Sequence, residues 1–308
     1  MAKLLVVSEH ATRYQPLLES AGLPALQAHY FEHADDALSA CTDAEVLFGA
    51  PDRLAQLLPH CQQLRWVQSS WAGIKPLLDS ERRDYLLTGV KDLFGPAMSE
   101  FVLGWLLALE RNILNRHGAR AWNDKRDGSL QGKRIGIMGT GSIGAYVAQQ
   151  CRNFGLATRG LNSNGRDVAG FDQCLPMQQR LAFAEQLDYL VTLLPDTANT
   201  DHLVNTELLA ALRPGAILIN GGRANCIDLP ALVAALGSGQ LRHAVLDVLP
   251  LEPLPASDPL WQVDNLSITS HTAAPTPVSA IVEVFCENYR RYIDGAPLHH
   301  LIDFERGY

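Results

Sequence analysis

Three polar side chains of different chemistry stand just after apolar runs late in the chain. Arg223 follows Ile219-Asn220-Gly221-Gly222, Glu252 lies within Leu246-Asp247-Val248-Leu249-Pro250-Leu251-Glu252-Pro253-Leu254, and His271 within Ser270-His271-Thr272-Ala273-Ala274. A guanidinium takes a carboxylate in a two-pronged, charge-assisted contact that also orients the molecule carrying it, where a lysine would bind but aim poorly. A free imidazole titrates near neutrality and can hand a proton to an oxygen on which negative charge is building. A carboxylate on the far ring nitrogen fixes the ring and favours its charged form. The set therefore suits binding of a carboxylate beside acid–base work on a neighbouring oxygen. Losing such a proton donor costs roughly 10²- to 10⁴-fold in rate.

A second constellation precedes these. Ile135-Gly136-Ile137-Met138 runs into Gly139-Thr140-Gly141-Ser142-Ile143-Gly144, and Ala145 to Gln150 continues with helical spacing. This is G-x-G-x-x-G between a strand and a helix, the context a dinucleotide-binding loop requires. Gly139 permits the turn, Gly141 admits a pyrophosphate, and Gly144 lets helix and strand pack closely. Free N–H groups at the helix start, Ser142 and Ile143 among them, hold the anion without a lysine. An acid about 20 residues further on would bind the ribose 2′-hydroxyl of NAD. None is present: the stretch reads Thr158-Arg159-Gly160-Leu161-Asn162-Ser163-Asn164-Gly165-Arg166. Neutral Asn162 with Ser163 and Arg166 favours a 2′-phosphate, so NADP(H) is the expected cofactor, with NAD(H) the alternative.

These groups need elements to carry them. Apolar runs Leu4–Val7, Val46–Phe48 and Leu64–Val67 alternate with helix-like stretches, and a second series follows at Arg134–Met138, Tyr189–Thr192, Ala216–Ile219, Ala244–Leu246 and Leu266–Ile268. Such alternation predicts parallel strands with crossover helices, an α/β chain. Arg223, Glu252 and His271 then all sit at carboxyl ends of strands, the edge where open α/β sheets bind ligands. After the break at Gly95-Pro96 a helix is expected through Met98–Leu109, apolar nearly all round and so buried on several sides or against a second subunit. A polar connection, Asn123 to Gly132, separates the two series.

Composition narrows the class. With 308 residues the chain is long enough for two domains. The net charge of −8 and the lack of a basic stripe exclude a nucleic-acid binder, so an anionic substrate needs a local cation such as Arg223. Met1 to Val7 lacks the series of a secretion signal, and the apolar run Phe101 to Leu109 is too short to span a bilayer, which predicts no membrane partner and a cytoplasmic protein. Six cysteines without a C-x-x-C pair predict buried, inert thiols and no metal site.

On these motifs the chain resembles the D-isomer-specific 2-hydroxyacid dehydrogenases from end to end, closing on Leu301-Ile302-Asp303-Phe304-Glu305-Arg306-Gly307-Tyr308. The resemblance is strongest at Glu252-Pro253-Leu254 followed by Asp258-Pro259-Leu260-Trp261. It implies two Rossmann-like, doubly wound parallel-sheet domains. A discontinuous substrate domain spans 1–95 with 275–308, and a dinucleotide domain spans 96–274. It makes Arg223 the grip on the substrate carboxylate and carbonyl, and Glu252 with His271 the acid–base pair. Ala72 and Gly73, in Ser69-Ser70-Trp71-Ala72-Gly73-Ile74, fall in a loop whose backbone N–H groups hold the substrate carboxylate. Pro195 and Asp247 fall near the nicotinamide, although an aspartate after a strand can also act as a cap, and Met98 opens the long helix. The short Glu252-to-His271 interval and the missing acid resemble NADPH-dependent glyoxylate/hydroxypyruvate reductases most, and a homodimer through the Met98–Leu109 helix is implied.

Two departures bear on substrate choice: Ala224 follows the arginine where glycine is usual, and Gly49-Ala50-Pro51 offers no tryptophan. Two other readings share the fold. A non-catalytic dinucleotide sensor would not need Arg223, Glu252 and His271. A dehydrogenase of the same fold for phosphoglycerate, formate or hydrophobic 2-oxo acids is the other; the end at Tyr308 disfavours the larger phosphoglycerate enzymes and the proton-donating pair disfavours formate, while the hydrophobic 2-oxo acids stay open.

Overall fold

A computed structural model describes residues 1–122, 124 and 127–305. Asn123, Lys125 and Arg126 of the expected polar connection, and Arg306, Gly307 and Tyr308 of the closing motif, lie outside the described residues. The chain divides into two compact units, Met1–Leu93 with Thr276–Tyr308, and Phe94–Pro275.

The first unit is built on five parallel strands, β1 (Ala2–Val7), β2 (Leu26–Phe31), β3 (Val46–Gly49), β4 (Trp66–Ser69) and β5 (Leu86–Thr88), in the order β2-β1-β3-β4-β5. Helices cover both faces, so the central strands are buried on both sides and read as continuous apolar runs. The two edge strands carry no such run, which is why Leu26–Phe31 and Leu86–Thr88 went unread in the sequence. One face packs Leu5, Leu47, Val67, Leu54 and Leu77. The other is an aromatic stack in which ring centroids of Tyr14 and Phe48 are 5.0 Å apart, Phe48 and Phe285 4.6 Å, and Trp66 and Phe285 5.3 Å. Tyr14 comes from the Ala11–Ser20 helix and Phe285 from the Val278–Ile293 helix. Each fully buried side chain of this size contributes roughly 1.5–3 kcal/mol, which ties the last helix to the first sheet. A polar tie joins it too: buried Asn288 donates through Nδ2 to Gln68 Oε1 at 3.0 Å.

The second unit has seven parallel strands, β6 (Arg134–Met138), β7 (Ala157–Asn162), β8 (Gln173–Pro176), β9 (Tyr189–Thr192), β10 (Ala216–Asn220), β11 (Leu241–Leu246) and β12 (Leu266–Ile268), in the order β12-β11-β10-β9-β6-β7-β8. Strand order reverses between β6 and β9, and a crevice opens at such a switch point beyond the carboxyl ends of the strands. Its sheet separates two cores, one around Val102, Leu106, Ile135 and Val147, the other around Leu190, Leu208, Leu218 and Leu232. The helix expected through Met98–Leu109 runs over Gly95–Glu110, with Pro96 in its first turn where a missing N–H costs nothing. Met98, Val102, Leu103 and Leu106 are buried, Glu100 and Gly104 are exposed, and Phe101, Trp105, Leu107 and Leu109 stand half-buried between them. Its outer face thus keeps apolar surface in water.

Candidate active site

Every polar group singled out in the second half of the sequence lies at the carboxyl edge of the second sheet. The glycine loop leaves β6, Pro195 follows β9, Arg223 follows β10, Asp247 and Glu252 follow β11, and His271 follows β12.

Gly139 has φ +99°, and a Cβ there would stand 2.6 Å from the carbonyl oxygen of Leu193, so no other residue fits the turn. Gly144 packs against the Gly139 carbonyl, leaving no room for a side chain. Gly141 differs: the space where its Cβ would lie is open. It caps the Ser142–Asn153 helix with no side chain bonded to the helix start, so the first N–H groups are left for an anion. The open space at Gly141 and the uncapped N–H groups fit a pyrophosphate.

Asn162 ends β7, and its amide is spent inside the loop that follows. Nδ2 donates to Thr140 Oγ1 at 3.1 Å and to the Arg166 carbonyl at 2.9 Å, while Oδ1 accepts from the N–H groups of Asn164 and Gly165. Asn162 shapes the loop. Ser163 and Arg166 are exposed, and the Arg166 guanidinium has no hydrogen bond or ion pair with the described residues.

Arg223, Glu252 and His271 come together. His271 Nδ1 lies 2.8 Å from Glu252 Oε2, and Glu252 Oε1 accepts the Leu249 N–H, also at 2.8 Å. Nε2 is therefore the ring nitrogen left for another molecule. Burial lowers the pKa of the Arg223 guanidinium, while the negative charges of Asp196 and Glu252 push it back up. Both carboxylates are thus within electrostatic reach of the arginine. Its Nη1 donates to the Gly222 carbonyl at 2.7 Å.

Asp247 is buried and holds the histidine loop. Oδ1 accepts from Thr269 Oγ1 at 2.6 Å and from the Thr272 N–H at 2.8 Å, Oδ2 accepts from the Ala273 N–H at 3.0 Å, and the Asp247 carbonyl accepts the His271 N–H at 2.9 Å. His271 adopts φ +55°, a left-handed conformation unfavourable outside glycine, so this clamp keeps the ring in place. The sequence marked the aspartate but not this duty. Pro195 is exposed, and its carbonyl accepts from Thr200 Oγ1 at 2.8 Å. In the first unit, Ser69 Oγ accepts the Trp71 N–H and donates to the Trp71 carbonyl, folding the loop. The N–H groups of Ala72 and Gly73 are left without a partner among the described residues.

Comparison with known proteins gives the family. Residues 103–273 match the model of the D-isomer specific 2-hydroxyacid dehydrogenase NAD binding domain. The chain belongs to the D-isomer specific 2-hydroxyacid dehydrogenase family. Among members of this family, glyoxylate/hydroxypyruvate reductase A of Serratia proteamaculans is 30% identical over 302 residues, covering 94% of each chain. A solved family member from Aeromonas salmonicida is 40% identical, with a TM-score of 0.92 over 98% of this chain and 99% of that one. The NADPH-dependent glyoxylate/hydroxypyruvate reductase of Sinorhizobium meliloti, solved with NADP and sulfate, is 25% identical with a TM-score of 0.88 over 100% of both chains.

Proposed function

We propose that this dehydrogenase is an NADPH-dependent reductase of small 2-oxo acids, glyoxylate and hydroxypyruvate among them, forming the 2-hydroxy acids. The observation that carries the reading is the Glu252–His271 pair held beside Arg223 at the sheet edge that bears the glycine loop. The relatives named for glyoxylate and hydroxypyruvate reduction, one solved with NADP, support the substrate class and the cofactor.

A reduced nicotinamide supplies the hydride when bound. Gly141, Ser142 and Ile143, on the loop shaped by Gly139 and Gly144, would hold its pyrophosphate, Ser163 and Arg166 would hold its 2′-phosphate in the loop set by Asn162, and Pro195 with Asp247 would stand at the nicotinamide end. Arg223 takes the carboxylate of the 2-oxo acid and turns its carbonyl toward the hydride donor. His271 then releases a proton from Nε2 to the carbonyl oxygen as negative charge develops there. Glu252, bonded to Nδ1, keeps the ring aimed and stabilises its charged form until the proton leaves. Ala72 and Gly73 offer N–H donors for a carboxylate in the unit Met1–Leu93 with Thr276–Tyr308, which we assign to substrate binding, and Phe94–Pro275 to the dinucleotide.

We further assign a homodimer formed through the outer face of the Gly95–Glu110 helix, supported by its half-buried Phe101 and Trp105 around open Gly104. A cytoplasmic location is supported by six free cysteines, five of them buried. No helix among the described residues is long and apolar enough to cross a membrane. The test is NADPH oxidation with glyoxylate and hydroxypyruvate by the parent and His271→Ala. Turnover should fall about 10²-fold or more in the variant while NADPH affinity holds. Equal turnover by both proteins overturns the reading.

A further inference from the structure

Thr192 and Asn220 are the last residues of neighbouring strands β9 and β10, paired in register and both fully buried. Thr192 Oγ1 donates to Asn220 Oδ1 at 2.7 Å. The same oxygen accepts the Gly222 N–H at 3.0 Å, and Asn220 Nδ2 donates to the Arg223 carbonyl at 3.2 Å. The backbone decides which way this amide points. Gly222 N–H can only donate and the Arg223 carbonyl can only accept, so Oδ1 must face the first and Nδ2 the second. Asn220 thereby closes the turn that projects Arg223, and Cys226 Sγ pins the same carbonyl at 3.1 Å. The guanidinium itself leans on the Gly222 carbonyl, whose peptide neighbour is one of the groups Asn220 holds.

We propose that the Thr192–Asn220 pair is the positioning device for Arg223: the threonine hydroxyl fixes the asparagine amide, and the amide fixes the turn from which the guanidinium reaches the substrate carboxylate. The inference rests on Arg223 taking that carboxylate. Neither residue touches substrate. What they govern is aim, because a planar, forked donor loses its two-pronged contact when its backbone shifts by a fraction of a bond length.

Thr192→Val removes the hydroxyl at constant shape and β-branching, Thr192→Ser keeps it, and Arg223→Gln tests the underlying reading. Each is measured as the full chain, by glyoxylate kinetics at saturating NADPH, by fluorescence titration of NADPH, and by binding of oxalate, a planar dicarboxylate mimic of a 2-oxo acid, to the NADPH complex. In Thr192→Val both the glyoxylate KM and the oxalate Kd should rise about tenfold, and kcat should fall as well because the carbonyl is aimed less surely. NADPH affinity should not move, and Thr192→Ser should restore oxalate binding to within about twofold of the parent. A merely structural hydroxyl would lower Tm and leave oxalate affinity alone. That result, or a serine variant no better than valine, overturns the proposal while Arg223 keeps its role. Parental oxalate affinity in Arg223→Gln overturns the role of Arg223 and this inference with it. Thr192→Ala makes the same deletion should the valine variant not fold.

Discussion

Glu252→Gln should damage the enzyme more than Glu252→Ala, although glutamine is the closer mimic. The carboxylate accepts from two donors, the Leu249 N–H at Oε1 and His271 Nδ1 at Oε2. A carboxamide has only one oxygen. The Leu249 N–H is an obligate donor, so the glutamine oxygen must stay with it and the NH₂ must face Nδ1. Nδ1 can accept from that NH₂ only in a neutral ring, so the variant opposes the charged imidazolium that proton transfer needs. The loss comprises the support of the exposed pair, at most about 1 kcal/mol, and, as the larger part, a donor set against the charged ring. Together these amount to roughly 10²- to 10³-fold in kcat. Alanine removes the opposition as well as the support. The histidine side chain is 53% exposed and the glutamate 38%, so water enters the vacated place and serves both donors. An exposed pair of this kind is worth at most about 1 kcal/mol, so Glu252→Ala should lose only about two- to fivefold. Single-turnover oxidation of NADPH with glyoxylate measures the step directly. Glutamine within about fivefold of the parent, or alanine the slower of the two, refutes the tautomer argument.

Arg166→Ser should raise the NADPH Kd about tenfold and leave the NADH Kd within about twofold, since one exposed charge-assisted contact to a 2′-phosphate is removed; equilibrium fluorescence titration with both cofactors checks it. Glu110 carries a pH prediction. Burial pushes its carboxyl pKa up, but the Lys133 ammonium at 2.7 Å and the Arg242 guanidinium together outweigh burial and hold it below the ordinary carboxylate range. A depressed value contributes stability that is present at neutral pH and lost as pH falls through it. Glu110→Gln should therefore cost about 2 kcal/mol at pH 7, less than a fully buried break because both cations reach water, and the gap to the parent should close in acid. Urea unfolding at the two pH values measures this, and a gap that widens on acidification contradicts the ion-pair account.

Much of the site was legible because chemistry-bearing side chains sat directly after apolar runs. A parallel strand buried on both faces must be apolar, and its end is where polar residues can resume, so Arg223 and His271 announced their own position. Edge strands obey no such rule. Leu26–Phe31 mixes histidine and glutamine into its run, and Gln173–Pro176 is four residues long, so neither stands out from a loop. Asn162 illustrates a different limit. Its type and spacing placed it at the end of β7, yet nothing in the sequence says that its amide would turn inward and leave Ser163 and Arg166 exposed.

The supporting contacts that went unread share one physical reason. Strand ends leave backbone N–H and C=O groups unpaired beyond the last rung of the ladder, and a loop that must hold a side chain within a fraction of an ångström cannot leave those groups to water. Here Asn220 closes the turn before Arg223, Asp247 clamps the loop around left-handed His271, and Glu252 ties Leu249 while facing the ring. Each is a short or acidic side chain folded back on its own loop or the next one, which in sequence looks like ordinary turn composition. The distinction from an ordinary turn lies in what each support holds, and it appears only when the strands stand in register: Thr192 meets Asn220 across β9 and β10, and Asp247 meets Thr269 beyond β11 and β12. Removing a support should therefore cost aim before it costs folding, because the strands themselves are fixed by cores that contain none of these residues.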